Sequence, residues 1–125
     1  MRTLLLSILF TLLASTGWSQ GIPFIRNYSA TEYGGNNQNF DIMTGKDGIV
    51  YVANFEGLLY YDHAEWHMLH TPGVTRITAL FRDSKGTIWT GGYNYIGYIE
   101  ISANGSPILH SIDKKNVFRG EVQWI

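Results

Sequence analysis

The chain has 125 residues, with nine Lys and Arg against ten Asp and Glu and a formal net charge of −1. That balance holds no basic surplus, which excludes the electrostatic footprint of a nucleic-acid binder. Cysteine is absent, so neither disulfides nor a lipid-modified cysteine can secure the protein.

The amino terminus comes first. Arg2 supplies a positive charge ahead of the ten apolar-rich residues Leu4 to Leu13. A membrane span needs about 20 residues, whereas this length suits the hydrophobic region of a secretory signal. Residues 1–19 are therefore read as a signal peptide. Gly17 and Ser19 are small residues at the −3 and −1 positions, so cleavage is expected before Gln20, with cleavage after Gln20 the alternative. An uncleaved N-terminal anchor is the competing reading. Removing the signal leaves about 105 residues, the size of one small domain. Losing Arg2 shifts the formal charge to −2.

Residues 20–38 form an N-terminal segment whose "PFIRNY" (23–28) reads as a ring-closing strand. Beyond it, two stretches share a plan: "GKDGIVYVANFEGLLYYD" (45–62) and "DSKGTIWTGGYNYIGYIE" (83–100). Each has a turn ending in Gly, a β-rich run centred on Tyr51 or Trp89, a loop, another Gly and a second apolar run. Gly48 and Gly86 are separated by 86 − 48 = 38 residues, and Gly57 and Gly97 by 97 − 57 = 40. That arithmetic puts two extra residues in the loop of the second copy. First strands are expected at 39–43 and 77–81, and second strands at 49–53 and 87–91. Third strands are expected at 58–62 and 98–101, and fourth strands at 66–69 and 107–112. No window after residue 20 sustains a capped helical pattern.

Four short strands in about 40 residues are the unit of a β-propeller blade. A blade apolar on both faces must stack on neighbours, and Tyr51 and Trp89 are read as large residues packed between blades. The fold class is thus all-β: an incomplete β-propeller of two four-stranded antiparallel blades (repeats 39–76 and 77–119) plus the first strand of a third, after a signal peptide. "GEVQWI" (120–125) begins the third, with Val122 placed as Phe40 and Thr78 are, and Trp124 as Ile42 and Leu80. Closure takes about four to eight blades, so these residues are expected to be the start of a longer protein and not to fold stably alone.

The second repeat resembles the two-component-regulator propeller repeat of bacterial sensor proteins. "ITALFRDSKGTIWTGG" followed by "GYIE" carries the likeness, through Ile88, Trp89, Gly91 and Gly97. The first copy departs from it: Tyr51 replaces Trp, Ala53 replaces Gly, and no acid stands where Asp83 does. The opening "GIPFIRNYSATEYGGNNQNFDI" is similar to the start of exported sensor regions in triple-tyrosine-motif regulators. This resemblance implies a downstream membrane helix followed by a LuxR-type helix-turn-helix or a histidine kinase. The Gly-His and Trp-Asp marks of WD repeats are missing, and the kelch period is longer.

Chemistry is sparse. His63, Glu65, His67 and His70 crowd eight residues, but on a strand Glu65 and His67 share one face and His70 takes the other. They are read as solvated outer-strand residues, with no metal and no cofactor expected. No nucleophile elbow, zinc helix, phosphate loop or dinucleotide fingerprint occurs, so no catalytic residue is assigned and the segment is expected not to be an enzyme. Asn27 and Asn104 open formal glycosylation sequons, which carry little weight in a chain that reads as bacterial.

The binding candidates are Tyr93, Asn94 and Tyr95, placed in the longer loop between second and third strands. Tyr joins an apolar plate to a polar tip and, with Asn, suits a sugar ring. Packing between blades is the competing reading of these tyrosines. The function expected is that of a periplasmic or otherwise extracytoplasmic sensory propeller that binds a ligand or partner of unassigned identity, a carbohydrate being one that this loop chemistry suits, and regulates a downstream signalling or transcriptional output module. This segment would touch neither nucleic acid nor membrane directly, and dimerisation of the full-length protein is a further expectation. The alternative is a secreted propeller enzyme or glycan-binding protein without signalling output.

Overall fold

A computed structural model of the chain describes residues 1–14, 21–73 and 75–112. The expected cleavage point, the end of the second repeat and the third-blade strand at 120–125 lie outside the described residues. Helix α1 spans Arg2–Ala14, and helix α2 spans Ala30–Tyr33. Among the described residues, no helix is long and apolar enough to cross a membrane.

Eight strands follow in two sheets: β1 (Asn39–Thr44), β2 (Val50–Asn54), β3 (Gly57–Tyr61) and β4 (Trp66–Leu69), then β5 (Ile77–Arg82), β6 (Ile88–Gly92), β7 (Tyr95–Ile101) and β8 (Pro107–Ser111). Each sheet is an antiparallel meander, ordered β1-β2-β3-β4 and β5-β6-β7-β8. All eight expected strands are present, with ends displaced by one residue or so except for β7, which starts three residues early. The repeat extends to a fault in the ladder: both sheets have a register shift at the start, between Asn39 and Asp41 and between Ile77 and Ala79. Such bulges bend a strand and re-aim its side chains.

The tight turns before β2 and β6 are identically wired. Gly45 N–H donates to Ile49 O and Gly48 N–H to Gly45 O, while Asp83 N–H donates to Thr87 O and Gly86 N–H to Asp83 O. The last residues, Gly48 and Gly86, have φ of 81° and 90°, a region that costs glycine little. An acid organises each turn from a different position. Asp83 Oδ1 accepts from Lys85 N and Thr87 N, and Oδ2 accepts from Trp89 Nε1 at 3.0 Å. In the first blade Asp47, two residues further along its turn, accepts from Ile49 N through Oδ1 and from the Tyr51 hydroxyl through Oδ2, also at 3.0 Å. The acid missing from the first turn position is therefore replaced from the third.

The core sits between the sheets. Tyr51, Ala53 and Leu58 of the first blade pack with Ile77, Leu80, Ile88, Tyr95 and Ile99 of the second. Three polar contacts cross the same seam. Leu80 N–H donates to Asp41 Oδ2 at 2.9 Å, Arg82 to Thr44 O at 3.0 Å, and Lys46 to Lys85 O at 3.2 Å.

The other face of the first blade carries Val52, Leu59, Trp66 and Met68, covered by Tyr28, Ala30 and Tyr33. Residues 21–29, expected to include a ring-closing strand, form none in the structure. Tyr28 instead lies across this face with its ring 5.4 Å from Trp66 and 5.8 Å from Tyr61. Helix α2 has no counterpart in the expected elements. It is one turn long, and Glu32 holds it by accepting from Ser29 N at 2.7 Å and from its hydroxyl at 2.8 Å, a local device at a helix start.

Asn54 anchors this segment. It is 0 % exposed, donates to Asn36 O and Asn39 Oδ1, and accepts from Asn36 N and Glu56 N. All four positions of the amide are thereby used.

Candidate functional site

The hairpins β2–β3 and β6–β7 end on the same side of the molecule. The pairs Asn54 with Gly57 and Gly92 with Tyr95 close them, leaving Phe55–Glu56 and Tyr93–Asn94 as two-residue turns. The turns are of equal length, which corrects the two-residue insertion expected here. The extra residues lie one hairpin later. Tyr60 pairs with His67 and Tyr98 with His110, so the offset grows from 98 − 60 = 38 to 110 − 67 = 43. Gly57 matches Tyr95, not Gly97.

This places the three binding candidates differently. Tyr93 is in the turn and 66 % exposed. Asn94 follows it in the left-handed conformation, φ 54°. Tyr95 is the first residue of β7, 4 % exposed and part of the seam core, where burial pushes its hydroxyl pKa up. Its ring lies over Gly97, whose missing side chain makes room: a Cβ there would collide with the Tyr95 hydroxyl. Packing is thus the role of Tyr95.

Other residues join Tyr93. Position 55 is 38 before position 93, so Phe55 is its equivalent in the first blade, and it too is exposed. Arg76 immediately precedes β5 and Tyr93 immediately follows β6. Because Ile77 pairs with Gly92, Arg76 and Tyr93 occupy the next rung and face each other as cross-strand neighbours do. The guanidinium lies 5.9 Å from the ring centroid, a cation–π arrangement. The chain passes so close that a Cβ on Gly92 would collide with Arg76 O. Thr75 is fixed by Thr71, whose hydroxyl accepts from Thr75 N at 2.7 Å and donates to Thr75 O at 2.8 Å.

Phe55, Thr75, Arg76 and Tyr93 line a cleft of about 340 Å³ across the seam, within the range of small-molecule sites. Two aromatic plates, a hydroxyl and a guanidinium can stack on a ring and hydrogen-bond its substituents. A larger cleft of about 440 Å³ is lined by Tyr28, Tyr33, Phe40 and Trp66 among others. It lies on the covered face of the first blade, the kind of face on which propeller blades stack. Phe55, Thr75 and Arg76 were not singled out in the sequence. The constant 38-residue offset, had it been followed through the turn, pairs Phe55 with Tyr93 and Gln38 with Arg76.

The histidine-rich stretch does not converge. His67 Nε2 lies 2.8 Å from Asp62 Oδ2 and its ring stacks on Tyr60 with centroids 4.7 Å apart. His70 is in contact with Glu56 O, and His63 sits in a turn with φ 77°. Among the described residues, no group of three or more potential ligands is placed to hold a metal ion. The second blade repeats the stack: His110 lies on Tyr98 at 5.0 Å, with Nε2 2.7 Å from Glu100 Oε2. Asp62 also accepts from the backbone N–H groups of Glu65 and Ala64, which with His67 hold its pKa down at about 2. The Trp89 indole N–H likewise lowers that of Asp83. These acids organise turns and strands.

Two four-stranded antiparallel sheets, stacked face to face and repeating each other's turns, bulges and cross-strand stacks, are blades of an incomplete β-propeller. The family model of the two component regulator propeller matches residues 72–94. The matched stretch runs from the loop before β5 through β6 and contains Thr75, Arg76 and Tyr93. No curated protein and no solved structure matches the chain.

Proposed function

We propose that these blades belong to the exported sensor region of a bacterial regulator, and that the cleft between Phe55 and Tyr93 takes a carbohydrate ligand. Binding there biases an output module elsewhere in the protein, a histidine kinase or a LuxR-type helix-turn-helix. The match to the two component regulator propeller supports the regulatory reading. The apolar run in α1 supports export. The observation that carries the ligand site is the recurrence of an exposed aromatic, Phe55 and then Tyr93, on the two sides of one cleft with Arg76 between strands at its wall. The role is binding, without a covalent step.

The test is to change Tyr93 to Ala in the intact protein and follow sugar binding by calorimetry beside thermal unfolding. Binding should weaken, while stability stays within about 1 kcal/mol, as at an exposed position. Unchanged binding, or a loss of several kcal/mol of stability, would contradict the assignment.

A further inference from the structure

The cations at the seam are not equivalent. Arg82 and Lys46 are engaged by backbone carbonyls of the neighbouring blade, Thr44 O and Lys85 O. Arg76 has no carboxylate within ion-pair distance among the described residues. Its guanidinium lies against the Tyr93 ring, and the described residues that line the cleft include no acidic side chain. A protein of formal charge −1 therefore presents a local positive centre beside the exposed Tyr93 ring, in a cleft that the exposed Phe55 also lines.

The fold does not require that charge. The equivalent position in the first blade, 76 − 38 = 38, holds the neutral Gln38. The backbone there does the structural work, with Phe55 N–H donating to Gln38 O at 3.1 Å. The second blade is thus built as the first is, with a guanidinium added where the cleft opens.

We infer that the ligand of this cleft is an acidic sugar, a uronic-acid residue whose carboxylate is taken by Arg76 while its ring face lies against Phe55 and Tyr93. This rests on the cleft being the carbohydrate site proposed above. A planar guanidinium fork matches a carboxylate with two parallel hydrogen bonds. The sugar's apolar C–H face needs an aromatic plate beside that fork, and the cleft supplies one on either side. A neutral sugar would use the plates and leave the cation unmatched.

The experiment uses the intact protein with tetragalacturonate and tetramannuronate, each paired with its carboxyl methyl ester, in low-salt titration calorimetry. The ester keeps the sugar rings and removes the charge. At least one acid should bind about tenfold or more tightly than its ester, as a charge-assisted hydrogen bond provides. Arg76→Gln should abolish that difference by weakening the acid more than the ester, whereas Tyr93→Ala should weaken acid and ester alike. Equal affinity for acid and ester, with Arg76→Gln silent but Tyr93→Ala effective, would overturn the inference and leave the carbohydrate site standing. Binding insensitive to Tyr93→Ala would remove the site itself. Failure of both acids to bind, or capture of an acidic peptide instead through Arg76, would overturn the uronic-acid assignment.

Discussion

Tyr51 shows how one side chain joins a turn to a core. Its ring is buried in the seam, and its hydroxyl reaches the Asp47 carboxylate at the blade's end. Burial, and then the bond to Asp47, push its pKa well above the ordinary tyrosine value of 10. Because the folded pKa is the higher one, this contribution is complete below about pH 10 and is lost only as pH rises past it. Tyr51→Phe should cost about 1–2 kcal/mol in thermal unfolding at neutral pH. A cost near zero would mean that water serves Asp47 as well as Tyr51 does. Asp62 has the opposite sign. Its pKa falls from 3.8 to about 2 on folding, so its contribution is present above pH 3.8 and disappears as pH falls through 2. Acid unfolding followed by circular dichroism should show that loss, and Asp62→Asn should remove it. An unchanged acid limb in the variant would contradict the assignment.

At the scale of strands and turns, a constant offset of 38 residues organises the molecule from Asn39 to Tyr61 and from Ile77 to Ile99. Within that frame, equivalent positions differ for local reasons. Asn54 uses its buried amide to tie down residues 36–39, whereas its equivalent Gly92 has no room for a side chain because Arg76 O is in the way. Gly92→Ala should therefore destabilise by roughly 1–3 kcal/mol. Gly91→Ala, next to it but facing open space, should stay within about 0.5 kcal/mol. Equal effects in urea unfolding would show that the two strands do not approach as described.

The strands were legible in the sequence because alternation, turn glycines and β-branched runs are local signals. The hairpin lengths were not. Gly57 and Gly97 look alike as letters, but one closes a turn and the other makes room for Tyr95. Pairing them shifted the alignment by two residues and put Tyr95 in a loop. Tyr93 and Asn94 do lie in a turn, as expected, because turn chemistry is also local. Arg76 and Phe55 were missed because only strand pairing and blade stacking bring them to Tyr93. The capping contact of Glu32 to Ser29 had a local signature, but a single turn is too short to show helical periodicity.

For the whole molecule, the stacking follows from two equivalent rows of cross-strand partners. Met43, Tyr51, Tyr60 and His67 cross the first blade, and Phe81, Trp89, Tyr98 and His110 cross the second. The first row turns toward the neighbouring blade, with Tyr51 buried and Met43 and Tyr60 packed against the seam core. The second row points away from the seam and leaves Phe81 exposed, as successive propeller blades present the same face in turn. The central claim is that the first blade seats on the second through this seam, and its most direct probe is the Leu80 amide. That N–H lies on the edge strand of its sheet, just past the bulge, and donates to Asp41 Oδ2 across the seam. Its hydrogen exchange should be measured by NMR in the intact protein and in Asp41→Ala. The stacked arrangement predicts a protected Leu80 amide that loses protection in the variant, while amides paired within β6 and β7 keep theirs. A Leu80 amide that exchanges freely in the wild type, or is indifferent to Asp41→Ala, would contradict it.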